Sequence, residues 1–262
     1  MPRKLGQHFL NSPQIIEKTM KSSDLNSDDV VLEIGPGEGV LTTALSKIVK
    51  KVITIEIDEK LLPNLKERFK NKENVEIIHD DILKINLPNL LKANKITNYK
   101  LIANIPYYIT SKILRVFLET KNPPKEMILM VQKEVAERII SGPGKMSKLS
   151  VSVQYYGEAE YLFTVGKENF NPPPKVDSAV IRVSQIVKHK ANRKTKEDDK
   201  KFFKIVRAGF CARRKTLINN ISSSLHLDKK SVEEKLKTAG ISSTVRAQEL
   251  SIEKWKELSN LF

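Results

Sequence analysis

The sequence contains a single cysteine, Cys211, in 262 residues. An intrachain disulfide and a zinc site built from several cysteines are therefore excluded. The chain also lacks any apolar run close to the roughly 20 residues that a membrane-spanning helix needs. Its first residues lack the apolar segment of a secretion signal. These absences predict a cytoplasmic protein with no membrane partner, and the length predicts about two domains.

Acidic residues are too few to balance the basic ones, since 31 Asp and Glu face 46 Lys and Arg, a net charge of +15. The surplus is concentrated in residues 188–262, where 19 basic and 9 acidic residues give +10. A basic surplus at one end favours a polyanionic partner, most simply nucleic acid. A lysine-rich surface that reflects overall composition is the alternative.

The charged stretch 188–201 predicts a domain boundary, with an α/β domain over 1–187 and a small helical domain over 188–262. We expect three or four short helices in the second domain, over residues 199–210, 216–225, 230–239 and 252–261. In the first domain, a helix is predicted over 13–21. Residues 150–156 and 161–165 are interpreted as strands, and 180–183 as the strand that closes the sheet.

A glycine turn follows the first long strand, residues 29–34. Glycines stand at 35, 37 and 39, and the next strand ends at Glu56. Val40 occupies the position of the third glycine in the dinucleotide motif. The pattern therefore argues against a pyrophosphate and for a smaller adenine-containing cofactor, whose ribose hydroxyls a carboxylate such as Glu56 binds.

Acidic residues also follow the third strand, residues 75–78. Asp80 or Asp81 could accept a hydrogen bond from the adenine amino group of such a cofactor. Either residue could equally cap the helix that follows.

The fourth strand ends in a corner, Asn104-Ile105-Pro106-Tyr107. Pro106 fixes its own φ and keeps Ile105 extended, so the corner is rigid. It offers two acceptors, the Asn104 side-chain oxygen and the Ile105 carbonyl, which suit the two N–H donors of an exocyclic amine. Tyr107 can stack on the base. Phe170 either covers the second face of the base or plugs its loop.

These residues belong to longer motifs, at 6–10, 33–37, 104–107, 132–135, 171–178 and 213–217. With them the chain resembles the KsgA-type small-subunit ribosomal RNA adenine N6,N6-dimethyltransferases over nearly its whole length. The most specific motifs are Asn-Pro-Pro-Pro-Lys-Val-Asp-Ser at 171–178 and Arg-Arg-Lys-Thr-Leu at 213–217.

The resemblance implies a Rossmann-like class I methyltransferase sheet with helices on both faces, followed by a small all-α domain. It implies that a monomer dimethylates two adjacent adenosines near the 3′ end of 16S rRNA within the small subunit, during ribosome biogenesis. S-adenosylmethionine is the implied methyl donor, and no metal is required.

The resemblance also implies roles for individual residues. The donor's methionine end would lie at His8 and Leu10, its turn at Gly35 and Gly37, its ribose at Glu56 and its adenine at Asp81, with Asn104 beside the methyl group. Asn104, Ile105, Pro106, Tyr107 and Phe170 would form the catalytic site. We expect Arg213, Arg214 and Lys215 to contact rRNA phosphates.

Three other functions remain to be compared. A large-subunit rRNA adenine methylase of the antibiotic-resistance type shares the Asn-Ile-Pro-Tyr corner. A non-catalytic assembly or transcription factor could use the same fold, although the intact corner argues against it. An NAD dehydrogenase is disfavoured by Val40 and by the absence of an acid–base residue at the corner.

Overall fold

The computed structural model describes residues 7–186 and 196–262. These form two compact units, the first made of residues 7–136 and 158–186 and the second of 137–157 and 196–262. Gly6 of the N-terminal motif and residues 188–195 of the expected boundary segment lie outside the described residues. The predicted boundary at 187/188 places residues 137–157 in the first domain, whereas in the structure they belong to the second unit.

The first unit contains a seven-stranded sheet in the order β4-β3-β2-β5-β6-β9-β7. The strands are β2 (Val30–Ile34), β3 (Lys51–Glu56), β4 (Val75–His79), β5 (Lys100–Asn104), β6 (Met127–Gln132), β7 (Glu158–Val165) and β9 (Ser178–Ser184). β2 to β6 run parallel to one another, whereas β9 runs antiparallel to both β6 and β7.

Two further strands, β1 (Phe9–Leu10) and β8 (Phe170–Asn171), form a separate antiparallel pair. In their register Phe9 lies opposite Asn171, and Leu10 lies opposite Phe170. Segments more than 150 positions apart in the sequence are thereby joined.

The helices of this unit are α1 (Pro13–Lys21), α2 (Val40–Leu45), α3 (Leu62–Phe69), α4 (Leu87–Ala93) and α5 (Thr110–Leu118). The chain proceeds from β2 towards β4 on one side, then returns to place β5 and β6 on the other side of β2. Right-handed crossovers in opposite directions place helices on both faces of the sheet. The predicted fold class is confirmed.

The central strands are mostly apolar because both faces of the sheet are covered. Val31, Val52, Leu101 and Leu129 are completely buried. Burying each such side chain contributes about 1.5–3 kcal/mol relative to exposure. A rigid sheet therefore fixes the ends of β2 and β5, where the strand order reverses and where ligands bind in open α/β sheets.

The second unit is helical. It contains α7 (Lys148–Tyr156), α8 (Lys196–Gly209), α9 (Leu217–Leu225), α10 (Lys229–Thr238) and α11 (Ile252–Ser259), while α6 (Lys133–Ile140) begins in the first unit. Trp255 is completely buried and stacks on Phe210 with 5.5 Å between ring centroids. Phe202 stacks on Tyr155 at 3.9 Å, so this unit has its own aromatic core.

Most predicted elements are confirmed, including α1 over Pro13–Lys21 and the four helices of the basic region. The strand predicted at 150–156 is wrong, because these residues form α7. Ser147 and Ser150 cap its first turn reciprocally, and this capping box favours a helix over the alternating pattern. Residues 180–183 do form a strand, but β7 rather than β9 lies at the sheet edge.

Within residues 7–186 and 196–262, every helix is too short or too polar to cross a membrane.

Candidate active site

A cavity of about 770 Å³ opens at the carboxyl ends of β2, β3, β4 and β5, a volume typical of small-molecule sites. Its lining includes ten of the eleven residues that were predicted to bind the donor or to form the catalytic corner: His8, Leu10, Gly35, Gly37, Glu56, Asp81, Asn104, Ile105, Pro106 and Tyr107. The structure thus brings the predicted donor residues and the Asn-Ile-Pro-Tyr corner into one site.

The glycine turn lines the cavity with bare backbone at Gly35 and Gly37. Gly35 and Gly37 have φ of 64° and 57°, a region that favours glycine. A Cβ atom on Gly37 would lie 2.8 Å from a ring carbon of Phe9, whereas one on Gly35 would have no heavy atom within 4 Å. The Gly35 N–H donates to the Ile55 carbonyl at 2.9 Å, which fixes the turn to β3.

Glu56 presents an oriented carboxylate at the end of β3. Its Oε2 accepts a hydrogen bond from the Gly37 N–H at 3.3 Å, and its Oε1 accepts one from the Asp58 N–H at 2.8 Å. Burial raises the pKa of Glu56, while these N–H donors lower it. Each oxygen retains acceptor capacity, so the group suits a pair of vicinal hydroxyls.

Glu33 is a second buried carboxyl at the cavity; the sequence pattern marked it only as the acid that precedes the glycine turn and argues against a pyrophosphate. It is 1% exposed, and its Oε2 accepts a hydrogen bond from the Thr42 hydroxyl at 2.6 Å. The pKa of Glu33 is raised to about 7, chiefly by burial; the Thr42 hydrogen bond opposes this rise, and the nearby Glu56 carboxylate adds to it. Its position two residues before the turn was the available signal.

Asp80 and Asp81 both line the cavity. Asp81 Oδ1 accepts a hydrogen bond from the Leu83 N–H at 2.9 Å, and Asp80 Oδ1 accepts one from the Asp81 N–H at 2.7 Å. Asp81 therefore caps the following turn, and its side chain lies at the cavity as well. The two interpretations of this residue are compatible.

Asn104 is held in one orientation at the end of β5. Its Nδ2 donates to the His8 carbonyl at 3.5 Å, which directs the side-chain oxygen the other way. His8 Nδ1 lies 2.7 Å from the Pro172 carbonyl, and a carbonyl only accepts, so Nδ1 carries a proton. Ile105 is buried, and its N–H donates to the Met130 carbonyl at 3.1 Å. The corner is consequently rigid and presents acceptors.

Tyr107 is fixed at both its ring and its hydroxyl. The hydroxyl lies 2.6 Å from Ser178 Oγ, and the ring is within 24° of parallel to the His8 ring, with centroids 6.1 Å apart. Burial raises the pKa of the Tyr107 phenol. Sequence reasoning did not single out Ser178, although it is the last residue of the 171–178 motif.

Phe170 lies away from the cavity lining. It is 3% exposed and packs in an apolar cluster with Val31 and Ile102, behind Leu10 in the β1–β8 pair. Burial in that cluster favours the interpretation of Phe170 as a plug over that of a cover for a base.

The three predicted RNA-binding cations lie in the second unit. Arg213, Arg214 and Lys215 are exposed on the loop between α8 and α9. Asn220 shapes this loop: it is 2% exposed, and its Nδ2 donates to the carbonyls of Gly209 and Ala212 at 2.6 and 2.9 Å. Within the described ranges, no group of three or more His, Cys, Asp or Glu residues is placed to hold a metal ion.

Comparison with known families gives a match over residues 1–262 to the model of ribosomal RNA adenine dimethylase. The chain is 44% identical over 254 residues to ribosomal RNA small subunit methyltransferase A of Dehalococcoides mccartyi, covering 97% of this chain and 86% of that protein. It is 41% identical to the protein of the same name from Fusobacterium nucleatum, covering 99% and 97%.

Two solved structures resemble the whole chain. A dimethyladenosine transferase from Plasmodium falciparum superposes with a TM-score of 0.80 at 28% identity, covering 96% of each chain. The 23S rRNA methyltransferase ErmE superposes with a TM-score of 0.75 at 26% identity, covering 97% of this chain and 98% of that one.

Proposed function

The chain belongs to the ribosomal RNA adenine dimethylase family, and we propose on that basis that it methylates two adjacent adenosines near the 3′ end of 16S rRNA. Each adenosine receives two methyl groups on N6 from S-adenosylmethionine. The substrate is the small ribosomal subunit during its biogenesis, and the enzyme works in the cytoplasm as a monomer without a metal. The observation that carries this proposal is the cavity that holds the glycine turn, Glu56 and the Asn104 corner together.

Large-subunit methylation is less well supported. The chain is 41–44% identical to the relatives named for the small subunit and 26% identical to the 23S rRNA methyltransferase. The shared fold does not separate the two substrates, but the higher identity over the full length favours the small subunit.

The cavity suits the donor in size and in chemistry. We assign the donor's ribose hydroxyls to Glu56, whose two oxygens are already oriented by the N–H groups of Gly37 and Asp58. Asp81 would hold its adenine, and His8 and Leu10 would hold its methionine end. The bare backbone at Gly35 leaves room for the donor to cross the turn.

When bound, S-adenosylmethionine supplies an electrophilic methyl group on a sulfonium. The protein's task is then alignment, because holding the reacting atoms in line at near-attack distance removes most of the entropic barrier. The target adenosine leaves its stack to reach the cavity. Tyr107 stacks on the base, with its ring plane fixed by Ser178 and by the His8 ring.

The Asn104 oxygen and the Ile105 carbonyl accept the two N–H groups of N6, which directs the amine nitrogen towards the methyl group. Transfer would form the N6–C bond as the S–C bond breaks, leaving S-adenosylhomocysteine, and one N6 proton would pass to water. The monomethylated amine would then have one N–H left and would keep one of these hydrogen bonds. The second transfer therefore requires the other acceptor to tolerate a methyl group beside it.

Mass mapping of rRNA tests this proposal. Small subunits that lack the modification are incubated with the full chain and the donor, with isolated large subunits as the comparison. We expect two neighbouring dimethyladenosines near the 3′ end of the small-subunit RNA. Methylation confined to large-subunit RNA, or none on either, would overturn the proposal.

A further inference from the structure

Tyr108 is a large aromatic side chain that faces solvent beside the active site. It is 63% exposed, the most exposed large hydrophobic residue in the described part of the chain, and it also lines the cavity. A nucleic-acid base can stack on an exposed aromatic ring at the rim of a site, because one face of the ring is free and the side chain is stiff.

Its chain neighbour points inward. Tyr107 is partly buried, and its hydroxyl is hydrogen-bonded to Ser178. Tyr108, in the same short turn, is exposed to solvent. Two consecutive residues thus place one ring inside the cavity and one at its mouth. A nucleic-acid strand with one base inserted has a matching arrangement, since a single phosphodiester joins the inserted nucleotide to its neighbour and keeps that neighbour at the rim.

A cation lies one helical turn further along. Lys112 is exposed in the first turn of α5, also lines the cavity, and forms no ion pair with any described residue. A free ammonium beside a stacking ring is the combination with which proteins hold single-stranded nucleic acid, one group for the base and one for the phosphate.

We propose that Tyr108 and Lys112 form a second nucleotide subsite, which holds the nucleotide adjacent to the adenosine in the cavity. Tyr108 stacks on the neighbouring base, and Lys112 contacts the phosphate that links the two. The inference rests on the proposed function and deepens it, because substrates with two adjacent targets require the neighbour to be held while one base reacts.

Substitution of Tyr108 by Ala, Phe and Trp tests the stacking. With unmethylated small subunits as substrate, Tyr108→Ala is expected to raise the KM for the subunit about tenfold, since loss of one base–aromatic stack typically costs that much. Tyr108→Phe and Tyr108→Trp keep a ring face and should remain close to wild type. Ile48→Ala, at an exposed position away from the cavity, is the matched control.

Binding of S-adenosylhomocysteine by each variant, followed by calorimetry, provides a readout independent of RNA. We expect Tyr108→Ala to bind it as wild type does. Lys112→Glu should raise the KM for the subunit. The control Lys66→Glu, at an exposed position of α3, should leave it unchanged. If Tyr108→Ala keeps the wild-type KM, or if Tyr108→Phe is impaired equally, the subsite is refuted while the proposed function stands. A wild-type chain inactive on small subunits would refute both.

Discussion

Asn104 makes the most direct contribution of any single side chain to the proposed alignment. Asn104→Ala removes one of the two acceptors for N6 and leaves the donor's ribose and adenine contacts in place. Methyl transfer should fall at least about 100-fold, as misplacement of a reacting group by about 1 Å does, with S-adenosylhomocysteine binding close to wild type. Single-turnover methylation and calorimetry measure the two quantities, and an active variant would remove Asn104 from the mechanism.

Glu33 makes stability depend on pH. Burial raises its pKa from 4.5 to about 7 on folding, so the folded state holds the proton more tightly and ionisation opposes folding. The destabilisation begins above the unfolded value of 4.5 and is complete above about pH 7. Glu33→Gln should therefore gain stability over wild type by about 2 kcal/mol more at pH 8 than at pH 5.

Calorimetric melting of the donor-free protein at pH 5 and pH 8 measures whether Glu33→Gln is stabilised more, relative to wild type, at the higher pH. Glu73→Gln, at an exposed position, makes the same chemical change without the burial. A difference between Glu33→Gln and wild type that stays constant with pH would contradict the assignment.

At the scale of elements, the C-terminal end of α1 is tied to the start of β5, the end of that strand away from the cavity. The Lys100 ammonium donates to the carbonyls of Ser23 and Asp24, just after α1, and pairs with Asp29 at 3.1 Å. All three of its N–H donors are therefore used. Ile16 and Thr19 of α1 line the cavity, so the contacts of Lys100 help to position one of its walls.

Lys100→Met should weaken S-adenosylhomocysteine binding about threefold to tenfold, equivalent to roughly 1 kcal/mol, because the end of α1 loses its contacts to Lys100 and is left with the hydrogen bond from Arg182 Nη2 to the Ser22 carbonyl. Lys51→Met is the matched control: Lys51 also begins a parallel strand, but it pairs with Glu76 and Asn94 and makes no bond to α1. Calorimetric titration of both variants decides the matter. Equal affinities in the two would show that α1 keeps its position without Lys100.

The sequence allowed most elements to be predicted because their signals are local. Pro13 starts α1, and the apolar runs of β2, β3 and β5 are bounded by turn residues. The prediction failed at α7, where alternating Ser and Val resembled a strand and the deciding contact was the Ser147–Ser150 cap. The β1–β8 pair was missed because two-residue strands have no periodicity and their pairing depends on contacts across the chain.

Within the site, too, features with local sequence signals were predictable and contacts between distant segments were not. Gly35, Glu56 and Asn104 were predictable, since each stands at the end of a strand in a parallel sheet. The Thr42–Glu33 and Ser178–Tyr107 hydrogen bonds were not, because they join side chains from different elements. Phe170 was ambiguous for the same reason: an aromatic next to prolines can face a ligand or a core.

At the scale of the whole molecule, charge is unevenly distributed, with +10 of the +15 in residues 188–262. If the loop cations contact rRNA phosphates, reversing Arg213, Arg214 and Lys215 to Glu should weaken subunit binding and flatten its dependence on salt. Each lost contact reduces the slope of log K against log salt by about 0.7–0.9. Binding titrations at several salt concentrations measure this slope.

Reversal of Lys229, Lys230 and Lys237, which are exposed on α10, changes the net charge by the same amount elsewhere in the second unit. We expect a smaller change in slope from this control. Equal changes in both triple variants would mean that overall charge matters and the position of the loop does not.

The β1–β8 pair has a consequence for biosynthesis. One wall of the cavity is completed only when Phe9 meets Asn171 and His8 meets Pro172. A nascent chain emerging from the ribosome therefore exposes an open-sided cleft until Asn171 and Pro172 have emerged as well. This wall of the cavity forms late, because His8 and Phe9 are translated more than 150 residues before their partners Pro172 and Asn171.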